Sequence, residues 1–337
     1  VPEPAAIEVQ ELTRDFRGGV RALDGVSFTV ERGEIFGYLG RNGAGKSTTV
    51  RILTTLLRPT SGSATVGGHD VVADAAAVRR VFGAALQEAA LDELMTGREH
   101  LAMAGRLVGL GKSGAAERAA ELLESFGLKA AGDRIAAGYS GGMRRRLDVA
   151  MAMVRRPEVL FLDEPTTGLD PQGRRAVWEL VRDLRDSGST VFLTTQYLAE
   201  ADALSSRVAV VHEGRIAAIG TAQDLKDRLG TTAIRVLVAA GVTDRVAAAV
   251  DPNPVTATAD GWVEIGVPGG ESAVPGVMAR LAGAGVAIER LQVEPPSLED
   301  VFVSLTGTEI ETADVPARDV NVTAVRRSVG AKTGPVQ

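Results

Sequence analysis

Apolar and polar positions alternate along Ile7 to Phe16, and a second apolar-rich stretch covers Val26 to Val30, with Gly18-Gly19 and Asp24-Gly25 as the turn residues. Period-two patterning interrupted in this way predicts antiparallel strands. They lead into Ile35 to Leu39, a short run without charge, which predicts a buried strand. A helix is expected over Thr49 to Leu57, stopped by Arg58-Pro59-Thr60-Ser61-Gly62, then short strands over Ser63 to Val66 and Val81 to Leu86 around a loop and helix. From Leu91 to Gly138 the spacing becomes helical and rich in Ala, Leu, Glu and Arg, with Thr96 and Glu99 spaced as a capping box. Leu147, Ala150, Met151 and Val154 then fall on one helical face. Val159 to Leu162 is a continuous apolar run of the kind found in parallel sheets; a helix over Pro171 to Asp186 and a buried strand over Thr190 to Thr195 follow. Val208 to Val211 and Arg215 to Ile219, joined by His212-Glu213-Gly214, predict a hairpin.

Beyond Gly230 the pattern changes again. Strands are expected at 232–239, 255–259, 262–267 and 286–293 and helices at 243–250 and 271–283, the β-α-β-β-α-β order of a small split sheet. A last helix, Ser297 to Leu305, carries Leu298, Val301, Phe302 and Leu305 as one apolar stripe, to be buried on that sheet or on a partner. From Gly307 the polar tail has no apolar period and is expected to be disordered. The reading is therefore an α/β domain over residues 1–228 with a helical insertion at about 88–139, a small α+β domain over 229–306, and a tail over 307–337.

Composition narrows the classes. The 337 residues contain no run of eighteen apolar positions, and Val1 to Ala6 lack the charged and apolar segments of a signal peptide, so neither a membrane span nor a signal is expected. The absence of cysteine removes disulfides and thiolate metal sites. A net charge of −6 argues against nucleic acid as the main partner. The runs Arg144 to Arg146 and Arg155-Arg156 read as solvated helix faces, and His69, His100 and His212 share no ligand spacing.

Chemistry concentrates at Gly40-Arg41-Asn42-Gly43-Ala44-Gly45-Lys46-Ser47-Thr48, which fits G-x-x-x-x-G-K-[ST] between the predicted strand and helix. Glycines let the backbone turn and aim its N–H groups at phosphate oxygens; Lys46 adds a charge for the β- and γ-phosphates and Ser47 a hydroxyl for Mg²⁺. Asp163-Glu164 end a buried strand, where an α/β sheet binds ligands. Asp163 is expected to help hold Mg²⁺ and Glu164 to orient and deprotonate a water. Ser140-Gly141-Gly142 open a helix and offer a second anion site. Phe16 ends its strand, with its ring placed either in the core or against a nucleotide base.

Taken together, these motifs resemble the ATP-binding cassette (ABC) family of ATPases from Ile7 to about Arg228, and within it the daunorubicin/doxorubicin-resistance type. The matching residues are the Walker A loop Gly40 to Thr48, Gln87 as the Q-loop, the signature Ser140-Gly141-Gly142 with Met143 where glutamine is usual, Walker B ending in Asp163 and Glu164, and the D-loop Gly168-Leu169-Asp170. The drug-resistance type is suggested by Tyr139 to Asp148, Thr194 to Leu198 and Pro296 to Phe302. The resemblance implies a P-loop nucleotide-binding domain with ATP and Mg²⁺ as cofactors. ATP would be held by Phe16, Gly40, Asn42, Gly43, Ala44, Gly45, Lys46, Ser47, Thr48 and Gln87 of one copy, with Ser140, Gly141, Gly142 and Asp170 of a second completing the sandwich. Ser47, Gln87 and Asp163 are implied for the metal, and Glu164, Gln196 and Lys46 for catalysis. Gln196 stands where the family usually has histidine, so slow hydrolysis is expected. A homodimer at the cytoplasmic face, coupled through Gln87 and the helical segment to a separate membrane permease, would export a hydrophobic drug or lipid. The competing class is a soluble ABC ATPase acting on nucleic acid or ribosomes.

Overall fold

The computed structural model describes residues 4–87, 91–229, 231–239, 241–257, 261–268, 270–294 and 296–308. Of the tail expected to be disordered from Gly307, residues 309–337 lie outside them, as does the end of the strand expected at 255–259.

The chain opens with β1 (Ile7–Asp15) and β2 (Arg21–Val30), an antiparallel pair. β2 starts five residues ahead of its apolar run, and Arg21 ion-pairs with Asp15 at 2.8 Å across the ladder. The strand expected to follow them, β3 (Ile35–Gly40), belongs to a different sheet and is buried along its whole length. α1 (Lys46–Leu53) starts earlier than expected because Gly45 takes a left-handed φ of 102° and ends the loop. It also stops earlier, where Thr54 closes the last turn and Thr55 turns left-handed at φ 62°. β4 (Ser61–Val66), β5 (His69–Asp70), α2 (Ala75–Val81) and β6 (Phe82–Ala85) follow. The first sheet has the order β2-β1-β4-β5.

In the helical segment α3 (Gly97–Leu107) lies against α4 (Lys112–Ser125), and Thr96 and Glu99 form the expected capping box. Buried His100 accepts from the Asp92 N–H at 2.9 Å through Nε2 and meets the Thr96 carbonyl at 2.9 Å through Nδ1, holding the chain ahead of α3. After α5 (Gly141–Ala152) come β7 (Val159–Asp163), α6 (Pro171–Asp186) and β8 (Thr190–Thr195), then α7 (Leu198–Leu204), β9 (Arg207–His212), β10 (Arg215–Gly220) and α8 (Ala222–Leu229). α7 and α8 were not anticipated, since two turns offer too few apolar repeats to register as a period.

The second sheet, β10-β9-β3-β8-β7-β6, positions the site. From β9 to β6 its neighbours run parallel, and only β10 is antiparallel. Helices and the first sheet cover both faces, which is why β3, β7 and β8 are buried throughout. The register sets Leu39 opposite Thr195, Thr194 opposite Asp163, and Leu162 opposite Ala85. The carboxyl ends of four strands therefore meet along one edge, with Gly40, Gln196, Glu164 and Gln87 at or just past them.

The remaining elements are β11 (Thr231–Val238), α9 (Thr243–Val250), β12 (Val255–Ala257), β13 (Trp262–Pro268), α10 (Val274–Gly283), β14 (Ile288–Glu294) and α11 (Leu298–Thr306). The strands form an antiparallel sheet, β12-β13-β11-β14, whose inner face packs Ile234, Val236 and Ile265 against Val246, Val250, Val277 and Leu281 of the helices. α11 does not join it. Leu298, Val301 and Phe302 pack instead with Leu39, Leu198, Ala201, Val208, Val210 and Leu225, so the stripe is buried on the nucleotide-binding core of its own chain. Leu305, the fourth member, stays 41% exposed. The buried part of the stripe is received by the nucleotide-binding core and not by the small sheet.

Candidate functional site

The loop between β3 and α1 fits against β2 because Gly45 has no Cβ. One placed there would lie 2.6 Å from the Ala22 carbonyl oxygen and 2.8 Å from Leu23 Cδ2. At Gly40 it would lie 2.6 Å from the Val211 carbonyl oxygen. Gly43, at φ 83°, has open space beside it. Asn42 and Gly43 are exposed, Ala44 and Gly45 are buried, and Ser47 and Thr48 are half-buried on the first turn of α1. Among the described residues the N–H groups of Gly43 and Gly45 donate to nothing, and the opening N–H groups of α1 have no partner within the helix. Such a backbone, closing on a helix N-terminus, suits the oxygens of a phosphate chain.

The Lys46 ammonium, 4% exposed, makes three contacts: the Gly40 carbonyl at 2.8 Å, the Arg41 carbonyl at 3.1 Å and Glu164 Oε1 at 3.1 Å. It thus joins the end of β3 to the turn after β7. Asp163 Oδ1 accepts from Ser47 Oγ at 3.4 Å and from Thr194 Oγ1 at 2.5 Å. Two hard oxygen donors this close, from a serine and a carboxylate, suit Mg²⁺, which keeps waters and phosphate oxygens as its other ligands. Among the described residues no cluster of three or more His, Cys, Asp and Glu side chains is placed to hold a metal ion.

Glu164 is held with unusual care. Its φ of 47° is rare for a residue with a side chain, and its N–H is fixed by both the Thr194 carbonyl at 3.1 Å and Thr194 Oγ1 at 3.0 Å. The carboxylate is 9% exposed and accepts from Thr167 Oγ1 at 3.3 Å on Oε2, leaving Oε1 to Lys46. Gln196, 7% exposed, sits on the next strand end.

The other assigned residues are spread around this centre. Phe16 lies just past β1, 38% exposed, with the Arg14 guanidinium 4.8 Å over its ring, so it is not a core phenylalanine. Gln87 is exposed beyond β6 and makes no hydrogen bond to Ser47 or Asp163 among the described residues. Ser140 caps α5 by accepting from the Met143 N–H at 3.3 Å, and Asp170 caps α6 by accepting from the Gly173 N–H at 2.9 Å. Both helix starts open into one groove of about 520 Å³ lined by Ser140, Gly141, Gly142, Leu169, Asp170 and Gly173 among others; none of the Lys46, Ser47 and Asp163 side chains lines it.

Three groups were missed. Thr194 holds the Asp163 carboxylate and the Glu164 N–H; the one visible signal was a hydroxyl in an apolar strand, and its register with Asp163 emerged only in the sheet. Glu200, fully buried, accepts from Thr166 Oγ1 at 2.8 Å and Trp178 Nε1 at 3.0 Å, and burial pushes its carboxyl pKa up. It ties the turn after Glu164 to α6 and α7, with no signal in sequence. Arg145 corrects the reading of Arg144 to Arg146 as a solvated face: it is 7% exposed, on the buried side of α5.

A phosphate loop after β3, two adjacent carboxylates at the end of the parallel strand β7 and a capped Ser-Gly-Gly turn on a helical arm define a cassette-type P-loop ATPase. The chain belongs to the ATP-binding cassette (ABC) family. Residues 23–167 match the ABC transporter family, and residues 220–306 match the C-terminal domain of DrrA1-3-like ATP-binding proteins. The chain is 48% identical to the daunorubicin resistance ATP-binding protein DrrA3 of Streptomyces coeruleorubidus, over 87% of this chain and 93% of that one. It is 44% identical to the daunorubicin/doxorubicin resistance ATP-binding protein DrrA of Streptomyces peucetius, over 90% and 92%. A solved structure of the ATP-binding subunit of an ABC transporter superposes with a TM-score of 0.60 at 31% identity, covering 67% of this chain and 93% of that one.

Proposed function

We propose that the protein is the ATP-hydrolysing, energy-coupling subunit of an exporter that moves a hydrophobic drug or lipid through a separate membrane subunit. The observation that carries the reading is the convergence of Lys46, Asp163, Glu164 and Gln196 at adjacent parallel strand ends, with Ser47 beside Asp163. The drug-resistance names of its relatives supply the substrate class. Among the described residues no helix is long and apolar enough to cross a membrane, which agrees with a separate subunit for the path.

In this reading the loop Gly40 to Thr48 binds the triphosphate, and Lys46 turns from Glu164 toward the β- and γ-phosphates. Ser47 and Asp163 would hold Mg²⁺, which when bound neutralises phosphate charge. Glu164 takes the proton of the attacking water, and Gln196 donates a hydrogen bond to the γ-phosphate. Gln87, exposed past the end of β6, would join Ser47 and Asp163 at the metal and face the coupling surface. The groove at Ser140 to Gly142 and Asp170 is separate from the cradle, which supports the reading that it completes the site of a second copy in a homodimer. Hydrolysis removes the bridging charge and lets the pair reopen.

Equilibrium dialysis with Mg-ATP and crosslinking test this together. Wild type is expected to take up nucleotide only with Mg²⁺ and to pair only with ATP, and Lys46→Ala to lose uptake. Uptake unchanged in Lys46→Ala, or no ATP-dependent pairing, overturns the assignment.

A further inference from the structure

Arg145 is buried in the middle of α5, and all five of its N–H groups have an acceptor. Nε donates to the Pro165 carbonyl at 3.1 Å. Nη1 donates to the Leu86 carbonyl at 2.6 Å and to Asp148 Oδ2 at 2.8 Å. Nη2 donates to the Ala85 carbonyl at 3.3 Å and the Asp163 carbonyl at 3.0 Å. A guanidinium has five donors in a fixed fork, so none is left over. Four of the acceptors are main-chain carbonyls where β6 and β7 run out.

The positions of those carbonyls matter. Asp163 and Pro165 flank Glu164, so the fork holds both sides of the turn whose middle residue has φ 47°. Leu86 immediately precedes Gln87. The helix that carries Arg145 begins at the Ser140 turn, five residues earlier. One side chain therefore joins the anion-binding helix start, the general-base turn and the coupling glutamine, all of which the proposed function uses.

We propose that Arg145 is a positioning residue for hydrolysis: it locks the Glu164 turn and the Leu86-Gln87 segment to α5, so that nucleotide gripped at Ser140 to Gly142 sets the geometry of both. The proposal rests on the ATPase reading for its consequence, while its structural content, the lock itself, does not. An arginine serving only to fill space would not need four carbonyls on two strands. Lysine keeps the charge and the reach to Asp148 but presents a compact ammonium that cannot span both strand ends. Asp148 supplies the counter-charge that lets the guanidinium remain buried.

The test compares Arg145→Lys with Arg118→Lys in the full chain. Arg118 also donates to buried-side carbonyls, at Val154 and Met153 beyond the far end of α5, but touches neither strand end. Arg145→Lys is expected to fold, to bind Mg-ATP with a Kd within about twofold of wild type, and to lose about tenfold or more in kcat at unchanged KM. Arg118→Lys is expected to keep its kcat. Hydrogen exchange with Mg-ATP bound gives a second readout: peptides covering Leu86-Gln87 and Asp163 to Thr167 should exchange faster in Arg145→Lys and not in Arg118→Lys. Wild-type kcat in Arg145→Lys, equal losses in both variants, or unchanged exchange at the two peptides overturns the proposal. Should wild type itself show no turnover, the ATPase reading fails, and the exchange measurement still decides whether the lock exists.

Discussion

Replacing Glu164 by glutamine keeps the size of the side chain and removes the proton acceptor, so it isolates the chemistry from the fold. The backbone of the turn does not depend on the carboxylate, because its N–H is held by Thr194. The amide oxygen can still meet Lys46, now 3.1 Å from Oε1, and Lys46 keeps the carbonyls of Gly40 and Arg41. Removing one partner outright from a buried pair costs about 3–5 kcal/mol; with an accepting oxygen retained, the expected stability change stays within about 2 kcal/mol. The rate is a different matter. Loss of a general base costs roughly 10²- to 10⁴-fold, or about 3–5 kcal/mol in the barrier. ATP affinity is expected to hold or rise, since the competitor for the Lys46 ammonium is weakened. Phosphate release at saturating Mg-ATP, run beside equilibrium dialysis on the same preparation, separates the two effects. Turnover within about threefold of wild type, with nucleotide bound, would refute Glu164 as the base.

Three further expectations follow from local geometry. Gly45→Ala combines φ 102° with a Cβ 2.6 Å from a backbone oxygen and should cost about 3 kcal/mol or more, whereas Gly43→Ala, with open space, should cost only its backbone strain of roughly 1–2 kcal/mol; equal urea midpoints for the two would contradict this. Burial raises the Asp148 carboxyl from 3.8 to about 6 against the pull of Arg145, so the folded state binds a proton that the unfolded chain has released, and wild-type stability falls as pH rises through that window. Asp148→Asn lacks that penalty, and its stability relative to wild type should improve by about 2 kcal/mol between pH 4 and 7; a pH-independent difference sinks the idea. Phe302→Ala empties a fully buried site between α11 and the core and should cost about 3–5 kcal/mol, with hydrogen exchange rising in α11 and not in α9 or α10; a helix docked on another chain would leave the isolated protein unchanged.

What could be read without coordinates was whatever depends on neighbours in the chain. The loop Gly40 to Thr48 declares itself because the turn needs glycine at fixed offsets before a helix. The bounds of α6 were legible because Asp170 caps it, Pro171 opens it and its apolar stripe is wide. The capping box from Thr96 to Glu99 is a four-residue signal, and the β-α-β-β-α-β order emerged from alternating periods. The family resemblance came from such local words standing in the right sequence.

What the tertiary structure decided depends on residues far apart in sequence. The β7–β8 register sets Thr194 beside Asp163, and placing β3 between β8 and β9, in a different sheet from β1 and β2, brings Lys46 to Glu164 across more than a hundred residues of chain. Arg145 sits in a run of three arginines with nothing local to distinguish it, and only the strand ends beneath α5 show why the middle one is buried. The apolar stripe of α11 told that a face is covered but not by what. Periodicity records that a side chain leaves water; which surface receives it is settled by packing among distant elements, where burial and hydrogen bonding are shared rather than local.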